Sequence, residues 1–116
     1  MSADLELLDG ALPLVRFEPW TWFVMFWEDA SETTPSDLTG KAVTAEVRWA
    51  GGAETVAVSA VDAGLGRFEL SLLAQQTEAM PLGRLAKLYL AVDGDTEAVV
   101  PADVLEGLSQ EAAPIP

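Results

Sequence analysis

The chain has 116 residues, 50% of them apolar, and 19 acidic residues against 6 basic ones give a formal net charge of −13. This length fits one domain, and so high an apolar fraction excludes an intrinsically disordered segment. The acidic charge disfavours nucleic acid and anionic membranes as partners, because proteins bind both mainly through Lys and Arg.

Cysteine and histidine are both absent from the sequence. Without them the chain has no disulfide, no thiolate or imidazole metal ligand and no histidine general base. The glycines fall in hairpin turns rather than in a phosphate-binding loop. We therefore expect a protein that is not an enzyme and has no catalytic, metal or cofactor site.

The first eleven residues are acidic and end at the turn signal Asp9-Gly10. Leu5, Leu7 and Leu8 are compatible with one amphipathic helical turn or with an arm that orders on a partner. The segment lacks the basic region and long apolar run of a signal peptide, and no apolar run reaches the ~18 residues of a transmembrane helix. We expect an N-terminal arm over residues 1–11, in a soluble protein made in the cytoplasm.

Residues 12–17 predict a short strand, and Pro19 predicts a bend before the next one, because proline cannot donate to a central ladder. The segment 17–27 then holds six of the nine aromatic residues of the chain. Successive residues of a strand point to opposite faces. One face here consists of Trp20, Trp22, Val24 and Phe26, and the other of Phe23, Met25 and Trp27.

A strand with one face in water would carry polar residues on that face, and in this strand only Thr21 interrupts the apolar pattern. We therefore expect both faces to be covered, the second by another part of the chain or by another chain. Aromatic residues and Met are enriched at the centres of protein interfaces. The candidate interface residues are Trp20, Trp22, Phe23, Met25 and Trp27.

The remaining strands are predicted by alternation between turn signals. Residues 28–36 read as an exposed loop, residues 37–40 as a turn, and residues 74–80 as one short helical turn before Pro81. Strands are expected over 41–50, 54–61, 67–73, 84–92 and 96–106, with hairpin turns at Gly51-Gly52 and Asp93-Gly-Asp95. About seven short strands with closely spaced turns predict an all-β, immunoglobulin-like antiparallel sandwich over residues 12–109, followed by a C-terminal tail over 110–116.

Two acidic segments admit a metal-binding interpretation. Asp93 and Asp95 could hold calcium with Glu97, but a calcium site needs six or more oxygen ligands and a plain hairpin turn is favoured. The cluster at 28–32 (Glu28, Asp29, Glu32) could bind a metal or a basic partner, although a solvated loop is the ordinary behaviour of such a segment.

The order of motifs resembles a known family. The motifs are Asp37-Leu-Thr-Gly40, a strand ending in Arg48-Trp49, Gly66-Arg-Phe-Glu-Leu-Ser71, and Thr77-x-x-Met80-Pro-x-Gly83-x-Leu85. Over residues 17–107 the chain resembles the small β-sandwich domains of tailed-bacteriophage structural proteins, such as the N-terminal domain of baseplate upper proteins and tail-fibre attachment domains. In that family the domain attaches a receptor-binding part to the tail. No such part follows here, so the resemblance implies a stand-alone domain.

The resemblance implies a non-enzymatic virion structural protein, made in the host cytoplasm and located in the tail tip, baseplate or fibre-attachment region. It implies other phage structural proteins as partners and a homo-oligomer within the virion. A capsid decoration protein is an alternative within this class. A carbohydrate-binding or adhesion module is an alternative outside it, since Trp rings stack on sugars, although a sugar platform needs one exposed aromatic row.

Overall fold

The structure, a computed structural model, describes residues 1–107 of the 116. These residues form mainly β-strands, with one five-residue helix, α1 (Ala74–Glu78), and a 3₁₀ turn at Ala63–Leu65. The strands are β1 (Ser2–Leu5), β2 (Leu12–Val15), β3 (Trp20–Trp27), β4 (Val43–Trp49), β5 (Gly52–Asp62), β6 (Arg67–Leu72), β7 (Gly83–Val92) and β8 (Asp95–Leu105).

The eight strands form one mixed sheet in the order β1-β3-β6-β5-β4-β7-β8-β2. Its two edge strands, β1 and β2, follow each other in the chain, and residues 6–11 join them. A flat sheet of this size would be roughly 34 Å wide, whereas the joining segment spans at most about 25 Å. The sheet must therefore curl, and β1 lies close to β8 in the resulting half-barrel.

Strand β5 explains why the sheet is continuous. Its first half pairs with β4 from Gly52 to Val56, and its second half pairs with β6 from Ala57 to Asp62. The all-β class is confirmed. The immunoglobulin-like sandwich is not confirmed, because the strands follow one hydrogen-bonded order rather than two separate sheets, and β2 pairs with β8 in parallel.

Most of the predicted strands and turns are confirmed. The structure has strands at every predicted position, the hairpins turn at Gly51 and at Asp93-Gly94, and α1 forms before Pro81. Residues 2–5 form an additional strand rather than a helical turn, and this strand pairs with the C-terminal half of β3. The predicted tail over 110–116 lies outside the described residues.

The core lies on the concave side of the sheet and is built from alternate residues of its strands. The alternation predicted for β4, β6 and β7 is confirmed, because its inward residues are buried apart from the half-buried Val43 and Trp49. The largest fully buried apolar side chains are Phe26, Leu12, Leu14, Leu38, Leu70, Met80, Leu88, Leu90, Val47 and Val104. In residues 1–107 we find no helix with the length and apolar character needed to cross a membrane.

Candidate protein-binding surface

Strand β3 has the two faces that its sequence predicts. Its inward residues oppose inward residues of β6: Trp20 lies across from Leu72 and Val24 from Phe68. Trp20, Val24 and Phe26 are buried, and the Phe26 ring meets the Phe68 ring edge to face at 5.9 Å between centroids. The inward face of the aromatic strand is therefore part of the core.

The outward residues of β3 form the middle of a surface that we call the aromatic face, defined by Phe23, Met25, Trp27 and Val61. Phe23 is 59% exposed, whereas Met25 and Trp27 are half-buried. The cross-strand neighbours of Phe23 and Met25 on β6 are Glu69 and Arg67. Of this row of large apolar side chains, Phe23 is mostly in water and the other two are partly covered.

Val61 joins this face from β5. Its neighbour Ala60 lies across from Phe68, an inward residue of β6. Because successive side chains of a strand point to opposite faces, Val61 points outward, and it is 58% exposed. The register between β5 and β6 then shifts between Ala60 and Asp62, so an extra residue is accommodated there. Sequence reasoning missed Val61, although an apolar residue at an outward position was a visible signal.

Two shallow depressions flank the Phe23–Met25 row, each of about 380 Å³. The first is mainly apolar and is lined by Val61 and Arg67 together with Phe23 and Met25. The second lies toward β1, where Asp4 and Glu6 add carboxylates to its wall. The aromatic face therefore offers an apolar centre with an acidic margin on one side.

The five candidate interface residues are divided between the core and the aromatic face. Phe23, Met25 and Trp27 point outward, whereas Trp20 is only 6% exposed and belongs to the core. Trp22 is half-buried, stacks on the Trp20 ring at 6.1 Å and donates its indole N–H to the carbonyl oxygen of Glu6 at 3.0 Å. Trp20 is thus unavailable for a contact, and Trp22 lies at the margin of the aromatic face.

The indole N–H groups of Trp20 and Trp27 are buried without a hydrogen-bond partner in the described part of the chain. A buried donor without a partner costs about 1–3 kcal/mol. In both residues the indole contributes packing area rather than polar contacts.

The acidic segments singled out in the sequence form turns. The Asp93 carboxylate accepts the backbone N–H of Ala42 at 2.8 Å and lies 3.7 Å from the Lys41 ammonium. Within residues 1–107 no cluster of three or more His, Cys, Asp or Glu side chains is arranged to hold a metal ion.

Among the titratable groups of residues 1–107, Asp37, in the turn before β4, has a clearly lowered pKa. The Thr39 hydroxyl donates to its carboxylate at 2.7 Å, and the Thr39 backbone N–H donates at 3.0 Å. These two hydrogen bonds hold the pKa of Asp37 below its ordinary 3.8. Both stabilise the charged carboxylate and fix the turn.

Comparison of this chain with models of known protein families and with curated proteins gave no match in either case.

Proposed function

We propose that this chain is a non-enzymatic structural protein of a tailed-phage virion. It acts by protein–protein assembly in the tail tip, baseplate or fibre-attachment region. Two lines of support are the order of motifs along the sequence and the aromatic face. The exposure of Phe23 in the middle of the outer face of β3 carries the proposal, because water is an unfavourable environment for so large an apolar group.

On the aromatic face, two side chains are more than half exposed, Phe23 at 59% and Val61 at 58%. Burying a side chain of this kind contributes roughly 1.5–3 kcal/mol relative to leaving it in water. A complex in which a partner covers both side chains is stabilised by that free energy, and the fold does not have to change. Aromatic anchors of this kind typically lie at the centres of interfaces.

The residues that carry the phage resemblance have structural roles in this fold. Asp37 fixes the turn before β4, and Gly66 adopts φ +70° ahead of β6. Thr77 is buried within α1, and Met80 is buried just after it. These roles support a fold shared with that family rather than a shared binding contact. The resemblance implies an immunoglobulin-like sandwich, whereas the structure has one curled sheet. The sandwich remains a prediction.

The alternatives differ in their support. A capsid decoration protein would use the aromatic face in the same way and differs only in its place in the particle. A carbohydrate-binding module needs exposed indole faces, but Trp20 is buried and Trp22 is half-buried against it. The carbohydrate interpretation has less support for this reason.

Phage particles purified from a host that produces this chain test the proposal, by mass spectrometry and by electron microscopy with a labelled chain. We expect the chain in intact particles, with the label on the tail. Label on the capsid would favour the decoration protein instead. Absence of the chain from all particles would overturn the proposal.

A further inference from the structure

A second apolar surface lies on the outward side of β4, β7 and β8. We call it the basic face and define it by Leu85, Val99, Arg48, Arg84 and Lys87. Leu85 is 69% exposed and Val99 is 49% exposed. This surface was not identified from the sequence.

Positive charge is concentrated on the basic face. The whole sequence has only 6 basic residues against 19 acidic ones, and three of them, Arg48, Arg84 and Lys87, are exposed on this face. Arg48 and Lys87 lie directly across from each other in the β4–β7 register. Like charges in such a position destabilise a sheet, so their pairing has no local benefit to the fold.

The neighbouring carboxylates only partly neutralise these cations. Arg48 forms an ion pair with Glu46 and lies 4.3 Å from the Tyr89 ring centroid, and Arg84 lies 3.8 Å from Asp103. Lys87 has no ion pair with any side chain of residues 1–107. The basic face therefore has three cations and two carboxylates paired with them, in a strongly acidic molecule.

The aromatic face has the opposite charge. Asp4 and Glu6 line one of its depressions, and Glu69 lies across from Phe23. As far as the structure describes the chain, none of these three carboxylates forms an ion pair. Arg67 lines the other depression, so these described residues give the face a net negative charge around its apolar centre.

The two faces point away from each other. The inward residues of β3 and β6 pack in the same core as those of β4, β7 and β8. Side chains alternate across a sheet, so the outward residues of the two groups of strands lie on opposite sides of that core. One molecule cannot bring its own two faces together.

We propose that the aromatic face of one copy binds the basic face of a second copy, head to tail. Phe23 and Val61 would lie against Leu85 and Val99, with the carboxylates of one copy near the cations of the next. The partner in the proposed assembly is thus a second copy of the chain, and the contact is head to tail. This inference rests on the proposed function.

The size of the faces determines the strength of the contact. Three or four strands by six residues cover roughly 300–400 Å², whereas a stable interface buries ~800 Å² on each partner. A single contact is therefore weak, and repetition within a particle multiplies it. A head-to-tail contact closes into a ring or continues as a filament.

Sedimentation of the full chain over a concentration series into the millimolar range tests the proposal. The aromatic-face variant is F23S/V61S, the basic-face variant is L85S/V99S, and the matched control is L65S/L73S, which removes two exposed Leu residues outside both faces. We expect the wild type and the control to grow beyond the dimer as concentration rises. We expect each face variant alone to remain a monomer.

A mixture of the two face variants distinguishes the polarity. Each variant keeps the face that the other has lost, so an equal mixture should form a dimer and nothing larger. A basic-face variant that associates like the wild type, or a mixture that stays monomeric, would overturn the proposal. A wild type that stays monomeric would also overturn it. Even then, the proposed function would still stand if the chain were found in particles. Circular dichroism of each variant checks that it is folded.

Discussion

Phe23 and Phe26 lie on the same strand, three residues apart and on opposite faces. Phe26 is fully buried against Phe68, whereas Phe23 is mostly in water. We expect Phe26→Ala to lower the free energy of unfolding by about 3–5 kcal/mol, because it removes a core ring and leaves a cavity. Phe23→Ala should change it by less than about 0.5 kcal/mol.

Urea unfolding followed by tryptophan fluorescence measures both changes, and the two Phe variants serve as controls for each other. Similar losses of stability in the two variants would show that the faces of β3 are assigned incorrectly. The alternation of apolar residues was enough to predict this assignment. It could not predict that Trp20 stacks under Trp22, since this contact depends on rotamers.

The pKa of Asp37 makes stability depend on pH in a defined direction. The folded-state pKa lies below the ordinary 3.8 because of the hydrogen bonds from Thr39, so the stabilisation is present above that value. It is lost as the pH falls through the lowered pKa, where the folded protein takes up the proton.

We expect Asp37→Ala to be less stable than the wild type at pH 6, and the difference to shrink when both are measured below the ordinary 3.8. Urea unfolding at the two pH values gives the comparison. Thr39→Val, which removes the hydroxyl donor, should show the same trend. A difference that stays constant with pH would contradict the cause given for the lowered pKa.

At the scale of elements, Gly66 holds the junction of β3, the following loop and the 3₁₀ turn. It has φ +70°, and a Cβ there would lie 2.5 Å from the Phe26 carbonyl oxygen and 2.8 Å from that of Ser36. Gly66→Ala should therefore cost about 3 kcal/mol or more, through backbone strain and a steric clash.

Gly94 is the matched control for this change. It also has a positive φ, +87°, but nothing lies within 4 Å of the position of a Cβ. Gly94→Ala should thus cost about 1–2 kcal/mol, from backbone strain alone. Thermal or urea unfolding compares the two, and an equal cost would show that the close approach at Gly66 is relieved in solution.

The sequence was sufficient to locate most elements because alternation and turn residues are local signals. It was not sufficient for strand order. The pairing of β2 with β8 and the division of β5 between β4 and β6 join residues that are distant in the chain. The edge strand β1 was missed because residues 2–5 include two polar side chains and only one strongly apolar one, Leu5.

The same limit applies to the candidate surface. Phe23, Met25 and Trp27 could be named from the strand pattern alone. The place of Val61 beside them needed the pairing of β5 with β6, and the basic face needed the register of β4 with β7. Charge composition gives only the net charge of the molecule and not its distribution. Only the fold shows that three of its few cations are on one side.

At the scale of the whole molecule, a net charge of −13 keeps free copies apart. Assembly must then depend on a local surface where apolar burial exceeds this repulsion. In the proposed assembly, the aromatic face is that surface. The three methionines report on it directly, because Met80 is buried in the core, Met1 is exposed, and Met25 lies in the aromatic face.

Hydroxyl-radical footprinting, read by mass spectrometry, compares the purified chain with the same chain in intact particles. We predict that Phe23 and Met25 are modified in the free protein and protected in the particle. Met80 should be unreactive in both, and Leu73, exposed outside both faces, should react in both. Equal modification of Phe23 and Met25 in free and assembled protein would show that the aromatic face is not the contact surface.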